Sequence, residues 1–245
     1  MIYLQSDSDK KLPHHFDVAC AMYGAIDTAQ SYKFVTFEEV ESGKFDNLIR
    51  NNLFVGSVEF MNMVFSRIGL SDVRLPENSN REFETITLKQ AKERATNGEK
   101  LFIKPFDIKL FTGFVIDESI YTSISNIPDD TKVMAYKPFY TPIESEWRCY
   151  IYRDKVVDIR NYSGNIFTFP DEIELLKVVY KNEDRFPTAY TIDVGILESG
   201  ENVVIEYNDM WAIGNYGMDN ETYLKLLRSR YFEIVSNQLR KSYQC

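Results

Sequence analysis

The chain has 245 residues, a formal net charge of −9 and a pI near 4.9, and 44% of its residues are hydrophobic. This length and composition predict a folded protein with a sizeable core, and they exclude wholesale disorder. The acidic balance argues against sequence-independent binding to nucleic acid, which needs a surplus of lysine and arginine, but it leaves room for a local basic site for a small anion.

The cysteines and the apolar runs indicate the compartment. Cys20, Cys149 and Cys245 are odd in number and lack metal-ligand spacing, which is typical of a reducing cytoplasm. No apolar run approaches the length of about 18 residues that a membrane-spanning helix needs, and the N-terminus has no signal-peptide core. We therefore expect a cytoplasmic protein with no membrane partner and no nucleic-acid partner.

The first 75 residues are predicted to form a small α/β lobe. Short strands are predicted at the N-terminus, in YKFVTF and in NLFVGS, and helical spacing of apolar residues follows the first and the last of them. The second helix, VEFMNMVFSRIGL, is expected to end at Gly69 with Arg67 in its last turn, where a cation suits the helix dipole. The polar, turn-rich stretch from Ser71 to Arg81 predicts a linker.

The next segment contains a candidate phosphate site. Thr87 is predicted to cap a short helix, and the strand LFIKP after that helix has Lys104 near its end, on the strand face opposite to that of Ile103. Lys104 is either a solvated residue at a strand edge or a fixed cation aimed at a phosphate. Lys109 is in a connector with Thr112 and Gly113, and this connector is suited to cover an anion because glycine lets backbone N–H groups approach closely.

The segment SEWRCYIYRDKVVDIRNY predicts a β-hairpin with its turn near Arg153 and Asp154. Arg148 and Arg160 are on its two strands. A three-residue loop would place them opposite each other, whereas a two-residue loop would offset them by one position. Two neighbouring arginines repel unless an anion bridges them, so the pair is either a phosphate clamp or two solvated residues on an exposed sheet face.

A second hairpin is predicted in YTIDVGILESGENVVIEYN. If its turn is centred on Ser199-Gly200, Asp193 lies directly opposite Glu206, and Asn208 shares a face with Glu206 because the two are two residues apart. Facing carboxylates destabilise a sheet unless a cation lies between them, and two carboxylates with an amide oxygen suit Mg²⁺. The alternative is that the acids simply point into water.

A glycine-rich loop and a long amphipathic helix follow this hairpin, and the helix is expected to cover the sheet. The loop runs from Asp209 to Asp219. It contains Trp211, which we expect to be exposed, and Tyr216. We expect the acceptor substrate to bind at this loop.

The order of these parts resembles the ATP-grasp superfamily: a strand lysine, a glycine loop, an apolar strand, an arginine hairpin, and Asp…Glu-x-Asn on a second hairpin. The chain is similar in particular to the small ATP-grasp proteins of bacteria and their phages. The likeness covers about Leu101 to Asp219, and VGSVEFMNMVFSRIGL upstream is similar as well. It implies an α+β (ATP-grasp) fold, in which a small N-terminal α/β lobe (1–75) precedes two α+β lobes (76–135 and 136–245) that sandwich the nucleotide.

The resemblance also implies a role for each candidate residue. Asp193, Glu206 and Asn208 would bind the Mg²⁺ that bridges the ATP phosphates. Arg148 and Arg160 would stabilise the transferred phosphoryl group and the acyl-phosphate. The remaining candidates would bind ATP, either at its phosphates (Lys104, Lys109, Thr112 and Gly113) or by backbone contact with the adenine edge at the hinge between lobes (Ala135, Tyr136 and Lys137).

One departure from the superfamily pattern concerns the first phosphate contact. Many ATP-grasp enzymes have a further lysine where the lobe linker begins. The candidates for that position here are Arg67 and, displaced into the loop, Lys109. The sequence does not choose between them.

The activity that the resemblance implies is an ATP- and Mg²⁺-dependent ligase. A carboxylate is activated as an acyl-phosphate, and an amine or similar nucleophile then displaces phosphate, with catalysis carried by positioning and charge neutralisation. The expected partners are small-molecule or peptide carboxylates and amines. The alternatives are a small-molecule kinase on the same fold, a non-catalytic nucleotide-binding module, and a globular α+β protein with no nucleotide site.

Overall fold

A computed structural model of the chain describes residues 1–71, 73, 75, 82–106, 110–116, 124–181 and 186–242, which divide into two compact units. The first unit combines Met1–Ser79 with Glu144–Cys245, and the second is Asn80–Ile143. The two ends of the chain, which the sequence analysis assigned to separate lobes, thus cluster in one unit. The division into three lobes stays a prediction.

The N-terminal part of the first unit is built on a three-stranded parallel sheet. Strands β1 (Ile2–Gln5), β2 (Tyr32–Val35) and β3 (Leu53–Val55) pair in the order β2-β1-β3. Helix α1 (Phe16–Asp27) connects β1 to β2. These elements match the predicted ones, because alternating and helical apolar patterns are both strong in this stretch.

Two short helices between β2 and β3 were not predicted. They are α2 (Phe37–Glu41) and α3 (Asp46–Ile49), and neither is long enough to show helical periodicity. Helix α2 begins at a capping box between Thr36 and Glu39, a signal that the sequence does contain. Helix α4 (Val58–Arg67) then follows β3, as predicted.

The second unit is built on a four-stranded antiparallel sheet. Its strands pair in the order β4-β7-β5-β6, where β4 is Glu84–Thr87, β5 is Leu101–Pro105, β6 is Phe114–Ile116 and β7 is Lys132–Tyr136.

Helix α5 (Leu88–Thr96) covers one face of this sheet and begins at the predicted cap. The Thr87 side chain accepts a hydrogen bond from the backbone N–H of Gln90. Leu101 and Ile103 of β5 are buried in a core shared with α5. Because side chains alternate along a strand, Lys104 lies on the opposite face, as the sequence predicts.

The rest of the first unit is an antiparallel sheet made of the two predicted hairpins. Strands β8 (Ile143–Tyr152) and β9 (Lys155–Gly164) form the arginine hairpin, and β10 (Ala189–Leu197) and β11 (Asn202–Asp209) form the acidic hairpin. The strand order is β11-β10-β8-β9, so the two hairpins meet along β10 and β8. Apolar side chains of β8 and β10 pack on helix α6 (Glu172–Lys181).

Helix α7 (Asn220–Ser242) ties this sheet to the N-terminal part of the unit, because its apolar side chains share one core with β1, β3 and α1. Its buried Arg230 binds Asp209 at the end of β11, with Nε 2.6 Å from Oδ1 and Nη2 2.7 Å from Oδ2. Glu233 accepts hydrogen bonds from Thr188, just before β10. None of the helices in the described part of the chain is long and apolar enough to span a membrane.

Two glycines give a matched test of this backbone geometry. Gly164 has a φ of +74°, and a Cβ there would lie 2.1 Å from the carbonyl oxygen of Glu144, whereas Gly200 has a φ of +85° and open space around the same position. Alanine is strained at both sites by about 1–2 kcal/mol, but only Gly164→Ala adds a collision with backbone. We expect its free energy of unfolding in urea to fall by at least about 2 kcal/mol more than that of Gly200→Ala. Equal losses would contradict the close approach of the chain at Gly164.

Candidate functional site

The register of the arginine hairpin depends on a β-bulge. The chain turns at Arg153 and Asp154, whose φ angles are +50° and +59°, and this two-residue turn offsets the pairs next to it. A bulge at Val157 shifts the register, so that Arg148 lies directly opposite Arg160. The sequence linked that pairing to a three-residue loop, whereas the structure reaches it with a two-residue loop and one extra residue.

The acidic hairpin reaches its register in the same way. Asp193 is directly opposite Glu206, as the sequence predicts. Near the turn, however, Ile196 pairs with Asn202, which is one residue out of the register assumed from the sequence. A bulge at Ile205 corrects the offset, and the predicted pairing is therefore right although the assumed turn is not.

A buried ion pair between Arg148 and Asp193 joins the two hairpins. Nε of Arg148 donates to Oδ1 of Asp193 at 2.8 Å and Nη2 donates to Oδ2 at 2.7 Å. The two residues are 6% and 1% exposed. Burial opposes the charge of Arg148, but the hydrogen bonds and the charge of Asp193 raise its pKa above the ordinary value. The guanidinium is therefore charged, and the bidentate contact fixes its orientation.

Asp193 also belongs to a group with Glu206 and Asn208. The amide Nδ2 of Asn208 lies 3.2 Å from Oδ2 of Asp193 and 3.4 Å from Oε1 of Glu206. Burial raises the pKa of Asp193 above its ordinary value, and the nearby carboxylates of Glu206 and Glu146 raise it further. The hydrogen bonds and the charge of Arg148 lower this pKa but do not offset the rise. The three residues singled out on this hairpin thus lie together. Their role as metal ligands stays a prediction.

The donor set of this group fits a hard divalent cation. A carboxylate offers about four lone-pair sites, so the two hydrogen bonds from Arg148 leave Asp193 able to accept further contacts. Asn208 would contribute its Oδ1 after a rotation of the amide, since Nδ2 is the atom that faces the carboxylates. Within the described residues there is no group of three or more His, Cys, Asp and Glu side chains that could hold a metal ion.

Arg160 has its own acidic partner. Its Nε and Nη2 lie 3.1 and 2.8 Å from Oδ2 of Asp158, two residues earlier on β9. The repulsion between Arg148 and Arg160 is therefore relieved by one carboxylate on each. The side chain of Arg160 is 38% exposed, and it is the more accessible of the two cations.

Two aromatic rings lie against Arg148, and a glutamate is hydrogen-bonded to one of them. The ring of Tyr216 is centred 4.9 Å from Cζ of Arg148 and that of Tyr162 is 5.7 Å from it, and the Tyr162 hydroxyl donates to Glu146 at 2.9 Å. Sequence reasoning missed Glu146 and Tyr162. The signal for Glu146 is its spacing of two from Arg148, which favours a common face on β8. Tyr162 is the extra residue of a second bulge on β9, so alternation along that strand does not place it.

Trp211 contradicts the expectation that it is exposed. Its ring packs edge-on against Phe65 with centroids 5.6 Å apart, and it lies against the apolar core of the N-terminal part. A large apolar ring in a loop is stabilised by such burial, and the hydrophilic neighbours in the sequence did not reveal it. Tyr216 of the same loop is exposed, and the binding of the acceptor at this loop stays a prediction.

The candidate nucleotide-binding residues lie in the second unit. Nζ of Lys104 is 5.3 Å from the ring centre of Tyr136 on the neighbouring strand β7, so it is not a purely solvated side chain. A Cβ at Gly113 would come within 2.6 Å of the Phe102 ring, so a side chain there requires that ring to shift. The other described candidates are exposed Thr112, buried Ala135 and exposed Lys137.

Of the two candidates for the missing linker lysine, the structure describes only Arg67. Arg67 donates to Asp46 from Nε at 2.9 Å and from Nη2 at 2.5 Å, and the pairing raises the Arg67 pKa above its ordinary value. It is therefore engaged within the N-terminal part. Lys109 lies outside the described residues.

Comparison with known proteins adds the family. The sequence model of the ATP-grasp domain, R-2-K clade family 2, matches residues 79–226, which is more than half of the chain. No functionally curated protein matches the chain in sequence.

Solved structures share its fold. A D-alanine–D-alanine ligase from Bacillus anthracis complexed with ATP has a TM-score of 0.53 at 11% identity, over 96% of this chain and 97% of that one. The D-cycloserine synthetase DcsG has 0.56 at 10%, over 96% and 99%. The ATP-grasp ligase PsnB, complexed with a phosphomimetic variant of its minimal precursor, Mg and ADP, has 0.52 at 9%, over 94% and 97%. At these identities the likeness shows the fold alone and confirms the expected α+β architecture. With the match over residues 79–226, it follows that the chain belongs to family 2 of the R-2-K clade of ATP-grasp domains.

Proposed function

We propose that the protein is an ATP- and Mg²⁺-dependent ligase that joins a carboxylate to an amine or similar nucleophile through an acyl-phosphate. The observation that carries the proposal is the charge pattern across the antiparallel sheet. Arg160 and Arg148 pair on β9 and β8, Asp193 and Glu206 pair on β10 and β11, and the ion pair joins the two sets. This row of side chains changes from cationic to acidic across the sheet, so it is suited to bind a phosphate chain at one end and the metal ion of that chain at the other.

The relatives support the same class of activity. The Bacillus anthracis ligase was solved with ATP, and PsnB was solved with Mg and ADP beside a precursor variant. These proteins act as ligases on small molecules or on peptides, and membership of the ATP-grasp family favours an ATP-dependent ligase for this chain.

The proposed reaction has two steps. A carboxylate oxygen of the substrate attacks the γ-phosphorus of ATP, the bond from that phosphorus to the bridging oxygen breaks, and ADP leaves. The amine nitrogen then attacks the acyl carbon, the bond to the phosphate oxygen breaks, inorganic phosphate leaves, and the nitrogen loses a proton. No protein nucleophile is required, because positioning and charge neutralisation lower both barriers.

The acidic hairpin would hold the metal ion through Asp193, Glu206 and Asn208. A bound Mg²⁺ supplies neutralisation of the phosphate charge. Arg148, held by its bidentate contact, would present its remaining donors to the transferred phosphoryl group, and the more exposed Arg160 would stabilise the acyl-phosphate.

The second unit would bind the nucleotide. Lys104 would contact the phosphates, with Thr112 and Gly113 in the covering loop, and Lys109 in that loop stays part of the proposal. The backbone of 135–137 would meet the adenine edge. A lysine contributes there as a point charge, which tolerates the changing geometry of a phosphate chain.

Phosphorus NMR of the protein with Mg–ATP and a pool of carboxylates, amines and amino acids tests the proposal. ADP and free phosphate that form only in the presence of the pool are the expected result. ADP with a new phosphoester and no free phosphate would replace the ligase with a small-molecule kinase. Intact ATP under all conditions would overturn the enzyme and favour a binding module.

The metal role of Glu206 can be tested with Glu206→Gln, which keeps the shape of the side chain and removes its charge. We expect the loss of a metal ligand to lower Mg²⁺-dependent turnover by at least about 100-fold. The thermal stabilisation by Mg–ADP should also disappear, while the melting temperature of the free protein changes little. Glu198→Gln in the exposed turn of the same hairpin is the control. Turnover equal to that of the control would remove Glu206 from the metal site.

The phosphate role of Lys104 can be tested with Lys104→Ala. Because a charge-assisted contact with a phosphate is lost, we expect the affinity for Mg–ATP to fall by at least about tenfold in calorimetric titration. Lys89→Ala, which removes an exposed lysine of α5, is the matched control and should bind as the wild type does. If Lys104→Ala binds ATP as tightly as that control, Lys104 is only a strand-edge residue.

A further inference from the structure

The loop between β11 and α7 holds Tyr216 in a conformation that tyrosine rarely adopts. Its φ is +49°, and Gly217 after it has a φ of +84°. A non-glycine residue in the left-handed region is strained, and this conformation persists only where surrounding contacts enforce it. The contacts around Tyr216 therefore indicate the role of this conformation.

Asn215 anchors the loop from within. It is 1% exposed, its backbone N–H donates to Oδ1 of Asp17 at 2.7 Å, and its Oδ1 accepts from the N–H of Gly217 at 2.8 Å. Its Nδ2 donates to the carbonyl oxygen of Met218 at 3.2 Å. These bonds determine the backbone on both sides of Tyr216.

Tyr150 anchors the loop from the sheet. Its hydroxyl lies 2.6 Å from the carbonyl oxygen of Gly214 and 2.8 Å from that of Asn215, so it donates between the two. Tyr150 is two residues after Arg148 on β8, and successive even positions share a face. The loop is thus fastened beside the buried arginine.

The fastened loop places the Tyr216 ring on Arg148. The ring is centred 4.9 Å from Cζ of Arg148, and it stacks on Tyr162 with centroids 5.3 Å apart at 23°. A Cβ at Gly214 would lie 3.2 Å from the Tyr216 ring and 3.5 Å from Nη1 of Arg148, so a glycine leaves the room that this contact needs. A guanidinium over an aromatic ring is stabilised electrostatically.

We propose that Tyr216 is a positioning residue for Arg148, which keeps the guanidinium in place while Asp193 also serves the metal ion. Asp193 holds the edge of the guanidinium through Nε and Nη2, and a cation that competes for this carboxylate loosens that grip. The aromatic contact does not depend on Asp193. It therefore restrains the arginine in both states. The catalytic consequence rests on the proposed function, whereas the contact itself does not.

Arginine side-chain NMR of the free protein tests the contact. The Nε–Hε resonance of Arg148 is compared in wild type, Tyr216→Ala, Tyr216→Phe and Tyr180→Ala, the last removing an exposed tyrosine of α6. We expect hydrogen exchange with water to rise about tenfold in Tyr216→Ala and to stay within about twofold in the other two. Exchange in Tyr216→Ala equal to that in Tyr180→Ala would overturn the proposal. If Tyr216→Ala does not fold, Tyr216→Leu removes the ring and takes its place.

Steady-state kinetics test the consequence. Tyr216→Ala should lower kcat about tenfold, with the KM for ATP within about twofold of wild type. Tyr216→Phe should keep the kcat of wild type, because the ring and not the hydroxyl makes the contact. Equal losses in both variants, or a rise in KM alone, would assign Tyr216 to substrate binding and overturn the proposal. Absence of wild-type turnover would refute the proposed ligase. The NMR comparison would still show whether Tyr216 restrains Arg148.

Discussion

The buried ion pair of Arg148 and Asp193 constrains the rest of the structure. It joins residues 45 positions apart in the chain, and it is the point where the arginine hairpin meets the acidic hairpin. Removing one partner of such a pair typically costs about 3–5 kcal/mol, because the other charge stays buried without compensation. Replacing both by apolar residues is often harmless, so the pair is better understood as fixing register and charge position than as a source of stability.

Further hydrogen bonds and a second buried ion pair fix the segments that flank this ion pair. Arg230 of α7 fixes the end of β11 through Asp209, one residue beyond Asn208. Tyr150 and Asn215 fix the following loop. Functional side chains need support of this kind, because a displacement of about 1 Å at a reacting group costs orders of magnitude in rate. The acidic group, the arginine and the loop thus depend on the same rigid sheet and helix.

Features that depend only on residues near each other in the sequence were predicted correctly. The cap at Thr87 and the face of Lys104 follow from capping and alternation. The pairing of Asp193 with Glu206 was predicted from a turn register that the structure does not have, and the bulge at Ile205 restores it. The bulges at Val157, Tyr162 and Ile205 were not foreseen, because each adds an unpaired residue to one strand and so breaks the period of two from which the pairing was predicted. The ion pair was missed as well, since it requires β8 beside β10, a non-local choice that spacing within each hairpin does not reveal.

The ion pair also couples the binding of the metal ion to that of the nucleotide under the proposed function. In the absence of a metal ion, Arg148 neutralises Asp193 and makes the acidic group tolerable in a buried position. A divalent cation that binds alone adds positive charge next to that guanidinium, which opposes it. A phosphate chain removes the conflict because it attracts both the cation and the arginine. Metal and nucleotide binding are then coupled, each raising the affinity for the other by the same factor. The buried arginine therefore favours the metal–nucleotide complex over the free ion.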